Sequence, residues 1–570
     1  MTRRSPAVLA SLPKRVRRRL RREAKRAVKG LADARQRRHP VVTAGVIEKF
    51  TSKEIVGWIE VAKGAPTIPV RLCIGAFEAN SVAAVVTDNR TTDAEIRTFR
   101  FALNDFWKFV GKTDRVIVRA GDCQLPFSGR GMFYQPLRNG AGGLAELKIK
   151  LRLGHVFASN GRLILSKNRD RAWQASVMGL YNRVRTAVHE IAGYDAFLIY
   201  GSLLGAVREN GFIGHDFDFD AAYISKHRDG PAAARELAQI ARALIDYGFN
   251  VESRVITLHI YDPASSGVKI DLFHLFFDAG GVLRFPWGVA GTTDFMLAQW
   301  SGTREIKFGG STGLVPHGAE ALVETMYGAS WRVPNSGFSW VRERRSRATE
   351  GRVPAKLGAA VNWENFYATT TFDAPSPFFQ WVVTTPNLPG IVVDLGCGDG
   401  RDTFALARSS GTALGLDLSE IGLRTAQQRS STVPEQDRPS FVRCDFDDRD
   451  ALRSALESLD RGPGSDAVLW YGRFLLHALP PDTQEILLEE INRCAQDGDL
   501  IALEFRTLAD DGLPKAHSLP TRYYVDPAQL LATLTDTYGF SVLSSEEGTG
   551  LSPFGNEDPQ LFRVIARRST

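Results

Sequence analysis

Carboxylates recur at every second position near the end of the stretch from Tyr200 to Ile224, YGSLLGAVRENGFIGHDFDFDAAYI. In an extended chain side chains repeat with period two, so Asp216, Asp218 and Asp220 share one face, successive ones roughly 6.5 Å apart along the backbone. Carboxylates that close repel, and ionising all of them without a cation is unfavourable. Hard oxygen donors on one strand face suit Mg²⁺ or Mn²⁺ held jointly with substrate phosphates. Gly201 and Ser202, where the apolar run FLIY passes into a short helical piece, can present backbone N–H groups and a hydroxyl to a phosphate. The competing reading is an acidic, solvent-facing edge strand with Gly201 and Gly205 as turn residues; the Gly-Ser turn and the aromatic and β-branched context speak against it.

A second set of residues suits a different chemistry. The string IVVDLGCGDG reads as a buried strand entering a glycine-rich turn that holds Asp394, Gly396, Cys397, Gly398, Asp399 and Gly400. A lone GxGxG is weak, but a helix follows, and the next strand, ALGLDLS, ends in Asp417, at the distance where an acid grips a ribose. A third strand end, in FVRCDFDD, carries Asp445, where an acid can face an adenine amine. Strands DAVLWYGRFLLHAL and LIALEFRT bring His477 and Glu504 toward the carboxyl edge, where open α/β sheets bind ligands. Either can serve as a base toward a hydroxyl, or be structural.

The elements that position these residues must form several domains, because 570 residues are too many for one core. The apolar fraction of 44% is ordinary, and no run approaches the roughly 18 apolar residues of a membrane span. Five scattered cysteines without CxxC pairs argue against a zinc site or a disulfide framework and fit a reducing cytosol. Residues 1–40 hold 15 Lys or Arg against two acids, net +13, which leaves −6 for the rest of a chain whose total is +7. This tail lacks a signal-peptide core. Its apolar residues fall at helical spacing among arginines, as in an amphipathic helix lying on anionic lipid; RNA binding and a solubilising tail are the alternatives. Residues 41–150 read as short strands between turn residues, an antiparallel β-sandwich. A polar helix from Arg169 to Ile191 leads into the acidic motif, and an Arg-rich linker, 336–360, precedes the glycine-turn region at 361–570.

The acidic motif resembles the signature of the LicD and fukutin-related family, in Gly201, Ser202, Leu203, Leu204, Gly205, Arg208, Ile213, Asp216, Asp218 and Asp220. It departs at Gly214 and His215, where that family has Pro-Trp. A closing landmark, GLVPHGAEALVETMYGASWRVP, extends the likeness across 165–335. The resemblance implies an α+β nucleotidyltransferase-like domain in which a third carboxylate on a neighbouring strand completes the metal site. Asp271, in the apolar run GVKIDLFHLFF, is the candidate, since a lone buried Asp is costly unless ligated or hydrogen bonded. It further implies transfer of a phospho-alcohol (choline, ribitol or glycerol phosphate type) from a CDP-activated donor to a glycan or lipid-linked glycan, with Asp218, Asp220 and Asp271 holding metal. Asp216 assists, Arg208 neutralises phosphate, and Asp271 either shares metal or takes the acceptor's proton. The C-terminal region, from Asn362, resembles the class I S-adenosylmethionine methyltransferases, a Rossmann-like fold, with Asp394, Gly396, Cys397, Gly398, Gly400, Asp417 and Asp445 as cofactor residues. Together these imply a cytoplasmic enzyme, at the inner face of the membrane where the tail engages lipid, that decorates a cell-surface glycan and methylates the product. RNA modification is the rival, disfavoured by the acidic body, and a catalytically degenerate scaffold is the non-enzymatic one.

Overall fold

The structure is a computed structural model that describes residues 41–88, 93–335, 337–338, 351–459, 466–515 and 521–569. The basic tail and most of the Arg-rich stretch lie outside the described residues. The chain forms two compact units: one comprises Ala264–Arg352 with the chain up to Ala233, the other Ala234–Pro263 with Val353–Thr570. The expected linker is shorter than the range 336–360, because the helix Ala355–Thr369 begins inside it.

In the first unit two four-stranded antiparallel sheets come first. One is ordered Val42–Phe50, Glu54–Ala62, Ala94–Ala102, Val85–Asp88, the other Phe77–Ala83, Pro69–Ile74, Val116–Ala120, Cys123–Leu125. The strict alternation of AEIRTFRFA buries every second residue of Ala94–Ala102. Inward residues of both sheets, Ile59, Phe99 and Phe101 with Val70, Leu72 and Val118, share one core.

The helix Arg171–Ala192 starts at Asp170, whose carboxylate accepts from the Trp173 N–H at 3.1 Å, and stops at Gly193 in the left-handed region (φ 70°). Its Tyr181 hydroxyl donates to the Ala196 carbonyl at 2.8 Å and accepts from the Leu314 N–H at 3.1 Å, tying the helix to the chain on both sides of the acidic motif. The strand Asp220–Ser225 pairs parallel with Ser265–Phe277 and antiparallel with Phe197–Leu198. It begins only at Asp220, so Asp216 and Asp218 precede it instead of lying on it. The reason is pairing: Phe197–Leu198 reaches only Ala222 and Ala221, and the parallel ladder opens at Asp220 opposite Asp271. The hairpin Thr303–Phe308 and Ser311–Pro316 and the helix Ala319–Tyr327 complete the unit.

The second unit is the Rossmann-like part. Its seven-stranded sheet is ordered Ser440–Arg443, Thr412–Asp417, Ile391–Leu395, Val468–Arg473, Leu500–Arg506, Leu561–Arg568, Phe540–Gly548. The first five strands and Phe540–Gly548 run in one direction, and Leu561–Arg568, between Leu500–Arg506 and Phe540–Gly548, is antiparallel to both. Apolar cores on its two faces explain why central strands such as LIALEFR are buried at every position. The strand order reverses beside Ile391–Leu395, which opens a crevice next to the glycine turn. The hairpin Asn250–Ser253 and Thr257–Asp262 belongs to this unit: Asn365 and Asn362 side-chain oxygens each accept from it, from the Val251 and Ser253 N–H groups at 2.8 Å.

Candidate functional site

Parallel pairing sets Asp220 directly beside Asp271, and register-paired residues project to the same face of a sheet. Asp218, in the segment entering the strand, joins them: carboxylate oxygens of Asp218, Asp220 and Asp271 all lie within 4.8 Å of one another. Asp220 and Asp271 are each 8% exposed. Burial, then the charges of Asp218, Asp271 and Asp216, push Asp220 well above the usual carboxylate range, with Lys269 pulling the other way. Lys269, which sequence reading passed over, forms an ion pair with Asp271. Its position two residues before Asp271 in a strand was the available signal.

Asp216 is not one of this trio but is hydrogen bonded to the Asp218 side chain. Its carboxylate lies against Gly201, where a Cβ would overlap it, and accepts from the Phe217 N–H at 3.1 Å. Burial and the neighbouring Asp218 raise it well above the usual range. Gly201 therefore clears room for a carboxylate, and Ser202 anchors one: its Oγ, on a side chain in a residue 6% exposed, accepts from the Asp220 N–H at 2.9 Å. Arg208 is likewise taken up: it donates to the Trp331 carbonyl at 3.1 Å and pairs with Glu209 at 2.8 Å, joining the opening motif to the closing one. Burial and Arg208 hold His215 neutral down to about 4. At Gly214 a Cβ would stand 2.5 Å from the Ser166 Oγ, so the preceding segment occupies the space of a larger residue. Tyr327, from the closing helix, is partly buried beside the carboxylates, and burial followed by the charges of Asp216 and Asp220 raises its hydroxyl.

In the second unit Gly396, Gly398 and Gly400 all have positive φ, 72°, 57° and 76°. Asp394 closes its strand under the turn, accepting from the Thr403 hydroxyl at 2.6 Å, and burial pushes it up to about 8. Asp417 accepts from the Gly398 N–H at 2.8 Å and the Ser419 N–H at 2.7 Å, while burial still raises it to about 6. Burial and Asp417 push the Cys397 thiol well up, so it packs and does not react. Asp445 pairs with Lys356 at 2.9 Å. The helix Ala355–Thr369 supplies two residues that sequence reading missed. Tyr367 lies against Gly398, and Glu364 caps the next helix by accepting from the Ser419 hydroxyl at 2.6 Å and the Ile421 N–H at 2.9 Å.

The two expected bases are not available. His477 is 4% exposed, its Nδ1 accepts from the Arg506 N–H at 3.2 Å, and burial with Arg506, Arg522 and Arg473 depresses it well below the usual imidazole range. Glu504 is 1% exposed and held by Arg563 at 2.7 Å, Arg473 at 3.2 Å and the Ser552 hydroxyl at 3.1 Å.

The family model described as LicD/FKTN/FKRP, nucleotidyltransferase domain, matches residues 193–317, and that described as methyltransferase domain matches 392–498. A "Probable thiol methyltransferase 2" of Arabidopsis thaliana is 31% identical over 90 residues, which is 16% of this chain and 40% of that relative's length. Magnesium protoporphyrin IX methyltransferase from Synechocystis PCC 6803 is 24% identical over 34% of this chain and 76% of its own, with a TM-score of 0.24. A SAM-dependent methyltransferase from Anabaena variabilis is 18% identical over 36% of this chain and 92% of its own, with a TM-score of 0.28. The three clustered carboxylates thus lie within the stretch that matches the LicD/FKTN/FKRP model, and the glycine turn within the stretch that matches the methyltransferase model.

Proposed function

We propose that the chain is a bifunctional glycan-modifying enzyme. Its central region, of nucleotidyltransferase-like fold, transfers a phospho-alcohol from a CDP-activated donor to a hydroxyl of a cell-surface glycan or its lipid-linked precursor, and its C-terminal region methylates with S-adenosylmethionine. The observation that carries the first activity is the meeting within 4.8 Å of the buried, register-paired Asp220 and Asp271 with Asp218, in the segment entering the strand. Such a trio fits Mg²⁺ or Mn²⁺: the donors are hard oxygens, and among the described residues Lys269 is the cation that offsets their mutual repulsion. A bound ion supplies neutralisation of the donor diphosphate and of the departing CMP. Asp218, Asp220 and Asp271 hold it, and Asp216 and Tyr327 wall the pocket. The acceptor oxygen attacks the donor phosphorus as the bond to CMP breaks, and Asp271 is placed either to take the hydroxyl proton or to keep to the metal.

For the second activity, S-adenosylmethionine supplies an activated methyl group. The left-handed glycine turn gives it close access to backbone, Asp417 lies at the ribose position, and Tyr367 closes over the turn. The two-sheet N-terminal part serves as a β-sandwich accessory domain for binding or packing, and the basic tail holds the enzyme at an anionic, inner membrane surface. No helix among the described residues is long and apolar enough to cross a membrane. The test is CMP release from CDP-choline, CDP-glycerol and CDP-ribitol with Mg²⁺, and calorimetric titration with S-adenosylmethionine. No CMP from any donor counts against the transferase, and no binding heat counts against the methyltransferase.

A further inference from the structure

Two guanidiniums stand at the crevice where the sheet order reverses. Arg401 is the first residue of the helix that leaves the glycine turn, and Arg473 ends the neighbouring strand Val468–Arg473, one residue past the pairing of Leu395 with Gly472. The Nε of Arg401 is buried without a hydrogen bond among the described residues, and that of Arg473 lies 3.2 Å from Glu504 in an ion pair. Their planes are fixed from beneath: Arg401 lies over the Phe372 ring at 4.3 Å and Arg473 over the Phe474 ring at 4.4 Å. Phe474 itself takes a positive φ of 56° to stand there, a strained conformation of the kind found at ligand sites.

Arg506 and Lys515 face Asp510 and Glu557, and Glu504 is shared by Arg473 and Arg563, the latter also 3.7 Å from Glu546. Among the described residues Arg401 has no carboxylate nearer than Asp402 at 3.8 Å. Asp402 is already engaged by the Ser376 N–H at 2.7 Å and the Tyr471 hydroxyl at 2.7 Å, and Asp399 is paired with Arg429 at 3.0 Å. Burial and Arg473 together lower the affinity of Arg401 for its proton, as expected of two like charges facing a common space. An anion placed between them relieves that repulsion and fills the donor forks.

Among the described residues, the two bases expected at this crevice, His477 and Glu504, are both locked in the ways described above and are not placed to take a proton from a neutral hydroxyl.

We propose, resting on the methyltransferase reading above, that the methyl acceptor is an oxyanion, a phosphate or carboxylate oxygen that arrives deprotonated and is seated by Arg401 and Arg473. An oxygen lone pair of the anion forms the new O–CH₃ bond as the S–CH₃ bond breaks. The electron pair of that bond stays on sulfur, the sulfonium becomes the neutral thioether S-adenosylhomocysteine, and no proton moves. The product carries one negative charge fewer. In this chain the natural source of such an oxyanion is a phosphate on the glycan product.

The test uses the full chain saturated with S-adenosylhomocysteine and titrated with inorganic phosphate and, separately, acetate. Failure of the homocysteine form to bind refutes the methyltransferase reading itself. Binding of the homocysteine form with no phosphate or acetate binding overturns only the present inference. The expected result is anion binding that weakens about tenfold or more in Arg401→Gln, the loss of one charge-assisted hydrogen bond, with S-adenosylhomocysteine affinity changed less than about threefold. Arg401→Gln removes a 3.8 Å ion pair from Asp402, which keeps its bonds to Ser376 and Tyr471, and Arg473→Lys, which keeps the charge on Glu504's neighbour, is expected to lose a smaller factor. If Arg401→Gln instead weakens S-adenosylhomocysteine and leaves phosphate and acetate unchanged, Arg401 serves the cofactor's own carboxylate and the inference is refuted. Phosphate against acetate affinity distinguishes the two oxyanion classes. Turnover then adds a second check: methyl transfer to glycerol 3-phosphate but not to glycerol supports the inference, and transfer to glycerol at an equal rate overturns it.

Discussion

Replacing Asp220 with Asn should move stability in opposite directions with and without metal. In the metal-free protein Asp220 faces Asp218 and Asp271 within 4.8 Å. At an effective dielectric of about 20, two full charges at that distance repel by about 3.5 kcal/mol. Lys269 offsets part of this, and Asp220 escapes more of it by retaining its proton, as its raised pKa implies. A residual strain of about 1–2 kcal/mol is then relieved by the neutral isostere. For a unit of this size that corresponds to a rise in melting temperature of about 2–8 °C. With saturating Mg²⁺ or Mn²⁺ the order inverts: at about a hundred times Kd the wild-type protein gains about 2.7 kcal/mol, and Asp220→Asn loses most of that gain together with CMP release. Differential scanning calorimetry with EDTA and with Mn²⁺ reads both limbs. An Asp220→Asn protein that is less stable in EDTA and still shows the full Mn²⁺ shift would refute the metal-site reasoning, because the carboxylates would then be neither repelling one another nor binding the ion.

Lys269→Gln removes the internal countercharge from Asp271, so the melting temperature in EDTA should fall by a few degrees while the Mn²⁺ shift grows; an unchanged shift would mean that lysine and metal do not compete. Gly398→Ala sets a methyl group into the Tyr367 ring at a φ of 57°, costing about 1–3 kcal/mol and weakening S-adenosylmethionine in calorimetry. Adding Tyr367→Ala should restore only part, since the backbone strain persists. His274 is fully buried, with its Nε2 2.6 Å from the Gly351 carbonyl oxygen, and burial lowers it to about 4. The unfolded chain takes up this proton near 6.5 and the folded one does not, so stability is lost as pH falls from about 6.5 toward 4, at up to about 1.4 kcal/mol per pH unit. His274→Gln should flatten that limb of a denaturant midpoint against pH curve, and a limb of unaltered slope would disprove the assignment.

What could be read from the residues was whatever a local pattern enforces. The glycine turn, Asp417 and the alternating strands and helices of residues 391–568 follow from short-range periodicity and left-handed backbone, and the sheet forms in that order. Asp271 was legible because a charged residue in an apolar strand needs a partner. The strand supposed to carry Asp216, Asp218 and Asp220 was not, because its start is fixed by Ser202 and by the opening of the ladder at Asp271, contacts between residues distant in sequence. The same distance defeated the assignments of Arg208, His477 and Glu504. Each is a polar residue of the right type near the right strand end, and each is consumed by a partner, Trp331, Arg506 and Arg563 respectively, that no local pattern announces.

Both sites place excess charge of one sign at strand ends where backbone groups leave room for a ligand, and they do so with opposite signs. Around Asp220 the chain provides three carboxylates and one lysine, a deficit that a divalent cation fills. Around Arg401 it provides a guanidinium whose nearest carboxylate among the described residues is Asp402 at 3.8 Å, beside Arg473, which shares Glu504 with Arg563, an arrangement that an oxyanion complements. Neither imbalance helps the fold: each raises the energy of the empty protein, as the displaced proton affinities of Asp220 and Arg401 register. Residues serving packing alone would be paired or apolar, as the neighbouring Asp402, Asp399 and Glu490 are paired. A diphosphate bound with its metal at the first site and a phosphate at the second would each cancel the local excess, so one phosphorylated glycan is chemically suited to be the product of one site and the substrate of the other.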